Sequence, residues 1–225
     1  GRAAIELLEA AGWEVELVTD VCCGRALISK GLLDEAQALH TRLIEKLATP
    51  AAAGVPIAGC EPSCVLTLKD ELPALAGGSP EAAAIARQAV LADDLIADAV
   101  EDGTLRPSPD SALAGRSILF HGHCHQKAAR AVDGSVRLLR SIPDSRVQVL
   151  DAGCCGMAGS FGFEREHYDL SMRIGGLRLF PAVEAAPADA LIAATGVSCR
   201  QQISHGTGRS AQHPIVLLRD ALTIE

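Results

Sequence analysis

Aromatic residues are scarce in this chain: Phe, Trp and Tyr make up 3% of its 225 residues, with one Trp and one Tyr. That leaves little from which to build base-stacking platforms or the flat floors that hold carbohydrate. No apolar run approaches the about 20 residues that cross a bilayer, so no transmembrane segment is expected. Positive charge is also short. Twenty Lys plus Arg against 28 Asp plus Glu give a net charge of -8, which repels a phosphate backbone, and nucleic acid is not an expected partner. A secretory leader pattern is missing as well. The glycine-rich run 153–162 lacks a P-loop lysine, which argues against binding of nucleotide phosphates.

What is present is an ordinary globular composition, 48% hydrophobic and 21% charged, with eight cysteines. The length suits one large domain or two small ones. A chain with this much Ala, Leu and Val does not need four disulfides to fold. The cysteines therefore read as reduced thiols in the cytoplasm, holding a metal or carrying out redox chemistry.

Their placement follows a repeated pattern. The chain opens in a helical pattern over residues 2–11 with no N-cap, so it reads as a piece of something longer. Residues 13–18 alternate as a strand leading to Cys22-Cys23-Gly24, a helix is expected from 32 to 47, and a short strand at 55–58 feeds Cys60 and Cys64. In the second half a strand at 117–120 enters His121-Gly122-His123-Cys124-His125 and a helix runs to about residue 140. A strand at 147–150 then enters Gly153-Cys154-Cys155-Gly156, a helix starts near 166, a strand at 190–194 enters Gly196-Val197-Ser198-Cys199, and a last helix spans 215–222. The two Cys-Cys-Gly runs lie 132 positions apart, and Cys64 and Cys199 lie 135 apart, so the halves read as duplicated. The same register puts the counterpart of Cys124 ahead of residue 1.

Residues 102–110, with two prolines, form the natural linker, giving a first half at 1–102 and a second at 111–225. The fold class expected is α/β: two pseudo-repeated halves, each a mostly parallel sheet flanked by helices. In such sheets functional loops gather at the carboxyl ends of the strands, which is where the cysteines fall.

Four thiolates from four loops, Cys124, Cys154, Cys155 and Cys199, repel one another unless a cation or a cluster sits among them. Zinc favours paired C-x-x-C chelates, whereas here the close pair is directly adjacent, which suits two irons of one cluster. Gly153 and Gly156 permit turns that aim backbone N–H groups at an anionic centre. His121, His123, His125 and His205 offer charge, a proton relay or a further ligand. His40, His167 and His213 read as surface or capping residues, and Arg165, Glu166, Asp169, Asp93 and Asp94 as solvated helix faces. Cys60 reads equally as a small buried hydrophobe or a ligand.

Cys154-Cys155-Gly156, preceded by Cys124 and followed by Cys199, with a second copy upstream, resembles the cysteine-rich CCG domain. That domain is shared by the iron-sulfur component of glycolate oxidase and by components of heterodisulfide reductase and of anaerobic glycerol-3-phosphate dehydrogenase. More narrowly, the residues resemble the C-terminal part of fused FAD-linked oxidases of D-2-hydroxy acids. The matching stretches are Glu61-Pro62-Ser63-Cys64 with Thr67 and Lys69-Asp70-Glu71, His123 through Ala128, residues 153–164, and Ser198-Cys199-Arg200 with Gln202-Ile203.

The resemblance implies an oxidoreductase module that relays electrons from flavin to a quinone or another acceptor. FAD, a further iron-sulfur segment and the substrate-oxidising site would lie upstream, and the substrate would be D-lactate, glycolate or D-2-hydroxyglutarate. It implies metal ligands at Cys124, Cys154, Cys155 and Cys199, with Cys22, Cys23, Cys64 and Cys60 in the first half, and cofactor contacts from Gly153, Gly156, His123, His125 and Arg200. The family motif has five thiols, and each half here has lost one of the C-x-x-C pair. Four thiols suffice for a 4Fe-4S cluster, with zinc as the alternative. The expected location is the cytoplasm, free or peripheral at the inner membrane face. A structural zinc domain and a thiol-based disulfide reductase are the rival readings.

Overall fold

Strand hydrogen bonds need neighbours, and the computed structural model, which describes residues 1–222, shows where the chain finds them. Contacts divide the chain into two units: a smaller one of residues 16–92, and a larger one joining residues 1–15 to the chain from Asp93 onward. This partition differs from the linker-based division at 102–110. The helix Arg2–Ala10 buries Leu7 and Leu8 and packs on the helix Pro214–Ala221, so the chain's start belongs with its end.

In the smaller unit, helix Leu33–Ala52 buries Ala36, His40, Leu43 and Leu47, one face at helical spacing. That face lies on helix Pro80–Gln88, where Ala82, Ala84 and Ile85 are buried and Ser79 Oγ caps the Ala82 N–H at 3.2 Å. Strands β1 (Ile57–Gly59) and β2 (Ala89–Leu91) pair in parallel. Helix Pro62–Lys69, opened by a proline in its first turn, carries Cys64.

In the larger unit, β3 (Ser117–His121), β4 (Arg146–Val149), β5 (Leu191–Ala194) and β6 (Ala211–Gln212) form one parallel sheet in the order β4-β3-β5-β6. The central strands bury Ile118, Leu119 and Phe120 and Ile192, Ala193 and Ala194, the continuous apolar runs that a sheet covered on both faces requires. Leu119, Leu150, Leu179, Phe180, Ile192 and Ile203 share one core with Cys155 and Cys199. The architecture is the α/β one expected, with parallel sheets flanked by helices in pseudo-repeated halves.

Three local expectations change. Residues 13–18 are extended but unpaired among the described residues. Their counterpart in the other half is β4, whose ladder runs only to β3, and the repeat register places no counterpart of β3 within residues 1–92. Alternation supplies the faces of a strand but not its hydrogen bonds. The helix expected up to residue 140 is two helices, Cys124–Ala128 and Asp133–Arg140. Arg130 turns to φ 54, and the Ala131 N–H closes on Gln126 O at 2.8 Å, ending the first helix. Asp93 is buried rather than solvated, because Ser135 Oγ donates to its Oδ2 at 2.6 Å and His213 Nε2 stands 3.9 Å from its Oδ1.

Candidate metal and redox centre

Three neighbouring parallel strands deliver the second-half thiols to one rim. β3 ends at His121, and the chain passes Gly122 and His123 into a helix that begins at Cys124. After β4 comes the loop holding Cys154 and Cys155, and β5 leads through Thr195 and Gly196 to Cys199 in the first turn of helix Val197–Thr207. The Cys124 turn is set by its cap. His123 Nδ1 accepts the His125 N–H at 3.2 Å, while the His123 N–H donates to Gln126 Oε1 at 3.2 Å.

The thiols are linked in sequence by hydrogen bonds, Cys124 to Cys154, Cys154 to Cys155, and Cys155 to Cys199. Contact with Cys124 first, then Cys155 and the N–H groups of Gly156 and Ala158, holds Cys154 far below the ordinary thiol range. Cys155, then His121 and the field of His123, lowers Cys199 against the opposing effect of burial. Cys124 and Cys155 are pushed up, chiefly by bonding to Cys154 and then by burial or by Cys199. Lys127 Nζ reaches the carbonyls of Ala152 and Gly153, the latter at 3.0 Å. Burial lowers its proton affinity while the four sulfurs, Cys199 foremost, oppose that shift.

The two glycines beside the cysteine pair differ. Gly156 has φ 102, a Cβ there would meet Ser171 O at 2.1 Å, and its N–H donates to Cys154 Sγ at 3.3 Å. Gly153 is exposed with open space around it. Arg200 does not point its hydrogen bonds at sulfur. Its Nη1 donates to the carbonyls of Ala194 at 3.0 Å and Thr195 at 2.6 Å, closing the end of β5. His125 stands edge-on to His123, ring centres 5.2 Å apart. His121 is fully buried, and His205 is exposed in the last turn of its helix.

The sequence pattern did not single out Lys127, Gln126 or Thr195 as site residues. Gln126 is buried, accepts from Thr195 Oγ1 at 2.6 Å and donates to Ser135 Oγ at 3.2 Å, which ties the loops of Cys124 and Cys199 together. Lys127 had a signal, standing three positions after Cys124 and thus on the same helical face. Gln126 and Thr195 had none, because their pairing spans 69 positions.

The first half repeats the motif in thinner form. The Gly24 N–H donates to Cys22 Sγ at 3.5 Å, as Gly156 does to Cys154. Cys23 bonds to Cys64, and that contact, aided by the Arg25 N–H, lowers Cys23 to about 6 while Cys64 is pushed up. Cys22 is exposed, and Cys60 is half-buried. His40 is buried instead of lying at the surface. Its Nε2 meets Cys23 O at 2.9 Å, and a Cβ at Gly24 would come within 3.2 Å of the ring.

None of the eight cysteines forms a disulfide. Among the described residues no group of three or more His, Cys, Asp or Glu is arranged to hold a metal ion at a single point. The donor set is nevertheless all sulfur, lined by N–H groups and faced by an ammonium, which fits a thiolate-bound centre. Among the described residues no helix is long and apolar enough to cross a membrane.

Comparison with known proteins agrees with the CCG resemblance. Residues 1–69 match the family described as a cysteine-rich domain, CCG. Its relatives include one component of the anaerobic glycerol-3-phosphate dehydrogenase of Escherichia coli (strain K12), 30% identical over 99% of this chain and 55% of that protein. D-2-hydroxyglutarate dehydrogenase of the same organism is 27% identical over 97% of this chain and 20% of its own length. Lactate utilization protein A of Bacillus licheniformis is 27% identical over 93% of this chain and 85% of its own. The chain thus spans about half, or a fifth, of the first two.

Proposed function

We propose that this chain is the electron-relay module of a larger flavin-linked dehydrogenase, an oxidoreductase in which Cys124, Cys154, Cys155 and Cys199 hold a 4Fe-4S cluster. The observation that carries the reading is the gathering of four cysteines at one rim, from the ends of three neighbouring parallel strands. When bound, such a cluster stores and releases single electrons.

The chain's own residues supply its surroundings. The N–H groups of Gly156 and Ala158 face sulfur, Lys127 offsets negative charge, and burial of Cys155 and Cys199 excludes water. The directly adjacent pair Cys154-Cys155 suits two irons of one cluster better than the paired C-x-x-C chelates that zinc favours. Residues 1–102 and 111–225 act as two CCG-type halves, and Cys22, Cys23, Cys64 and Cys60 form the lesser thiol group.

Dehydrogenase names among the relatives support the oxidoreductase class, and this chain matches only part of each of those two proteins. Flavin and the oxidation of a D-2-hydroxy acid therefore belong to a partner domain or a partner chain. A quinone or similar carrier receives the electrons, in the cytoplasm or at the inner membrane face.

Anaerobic mixing of the complete flavin-containing protein with a D-2-hydroxy acid tests the reading. Flavin reduction should survive Cys154→Ser, whereas reduction of a quinone analogue should fall at least tenfold. Equal quinone reduction by wild type and variant contradicts the relay.

A further inference from the structure

His121 closes β3 with an imidazole at 0% exposure. Side chains two apart on a strand share a face, so His121 lies on the face of Leu119 rather than on that of Ile118 and Phe120. Leu119 belongs to the core that contains Cys155 and Cys199. The register adds a second constraint. His121 stands opposite Ala194 of β5, which belongs to the same core and leads into the Cys199 turn. Strand and ladder thus carry the ring to the place where Cys199 enters its helix, and hydrogen bonding from His121 favours ionisation of that thiol.

Among the described residues neither Nδ1 nor Nε2 of His121 meets a partner with full hydrogen-bond geometry, so the contact with Cys199 falls short of a complete bond. A buried polar group left in that condition is costly, and its bonding is completed by a ligand, an ion or a redox centre. The other histidines beside cysteine are engaged elsewhere. His123 Nδ1 takes the His125 N–H at 3.2 Å and stands 4.0 Å from Cys124 Sγ, while His40 Nε2 meets Cys23 O at 2.9 Å. An ionised sulfur carries no hydrogen and can only accept, so it matches the N–H of a neutral imidazole.

We infer that His121 donates its ring N–H to the sulfur of Cys199 in the loaded centre, as a positioning residue that raises the reduction potential without binding metal. The inference rests on the cluster reading above. Reduction adds negative charge, and an N–H held against sulfur in a site closed to water stabilises the more negative state. A donor fixed on a sheet strand is held more precisely than one on a loop, which keeps it aimed in both oxidation states.

The test uses the full-length protein purified without oxygen. In wild type carrying histidine labelled with the heavy nitrogen isotope, pulsed EPR of the reduced centre should show a weak nitrogen coupling transmitted through the hydrogen bond. His121→Leu, which fills the space with an apolar side chain, should keep its iron and sulfide per chain, lose that coupling, and shift the midpoint potential to lower values. An unmoved or raised potential in fully loaded His121→Leu overturns the inference. So does iron loss from a folded His121→Leu, which would make His121 a ligand. Loaded wild type with no weak histidine coupling overturns it without recourse to a variant. Wild-type protein without iron overturns the cluster reading as well, and so is distinguishable from the other results.

Discussion

Asp93 shows how a single buried charge can be misread from sequence. It stands beside Asp94 in a helix, a pattern usual for a wet face, yet it is buried against Ser135 and His213. Burial pushes its carboxyl above the ordinary range, and the charge of His213 and the Ser135 hydroxyl only partly offset the rise. A carboxyl whose folded pKa is raised contributes stability that is complete below the unfolded pKa and is lost as pH rises through the folded one. Asp93→Asn removes the titration. Denaturant midpoints measured from pH 4 to 8 should therefore show the variant gaining on wild type as pH increases, and parallel curves would contradict the assignment. The placement of the second-half cysteines after strand ends, by contrast, was legible, because a Cys-Cys-Gly run following an apolar run is a local pattern. The capping role of His213 was legible too, and its Nδ1 accepts the Ile215 N–H at 3.2 Å.

Strand ends and loops set the positions of those residues. The parallel strands β3, β4 and β5 were readable from their apolar runs to within a residue or two, and with them the rim on which the thiols gather. The unpaired stretch 13–18 was not, since pairing depends on a neighbour that alternation does not reveal. Nor did the sequence separate Gly153 from Gly156. Gly156→Ala would combine a left-handed backbone with a Cβ 2.1 Å from Ser171 O, and is expected to cost at least about 3 kcal/mol. Gly153→Ala, with open space around it, should stay within about 0.5 kcal/mol. Chemical denaturation of the two variants checks the contrast, and equal costs would place the N–H-lined turn elsewhere.

Across the whole molecule, duplication is the organising fact. An N–H to sulfur contact recurs at Gly24 and Gly156, and thiol pairs recur at Cys23 with Cys64 and at Cys155 with Cys199. The second half has gathered more around its sulfurs: a lysine and the Gln126 tie. That asymmetry is why the electron-carrying centre is assigned there, although the CCG match falls on residues 1–69. Iron, acid-labile sulfide and zinc in anaerobically purified full-length protein address the assignment directly. Iron and sulfide in equal amounts, about four of each per cluster, are expected, with both falling in Cys154→Ser and Cys199→Ser. Zinc without sulfide, or iron unchanged in both variants, would contradict it.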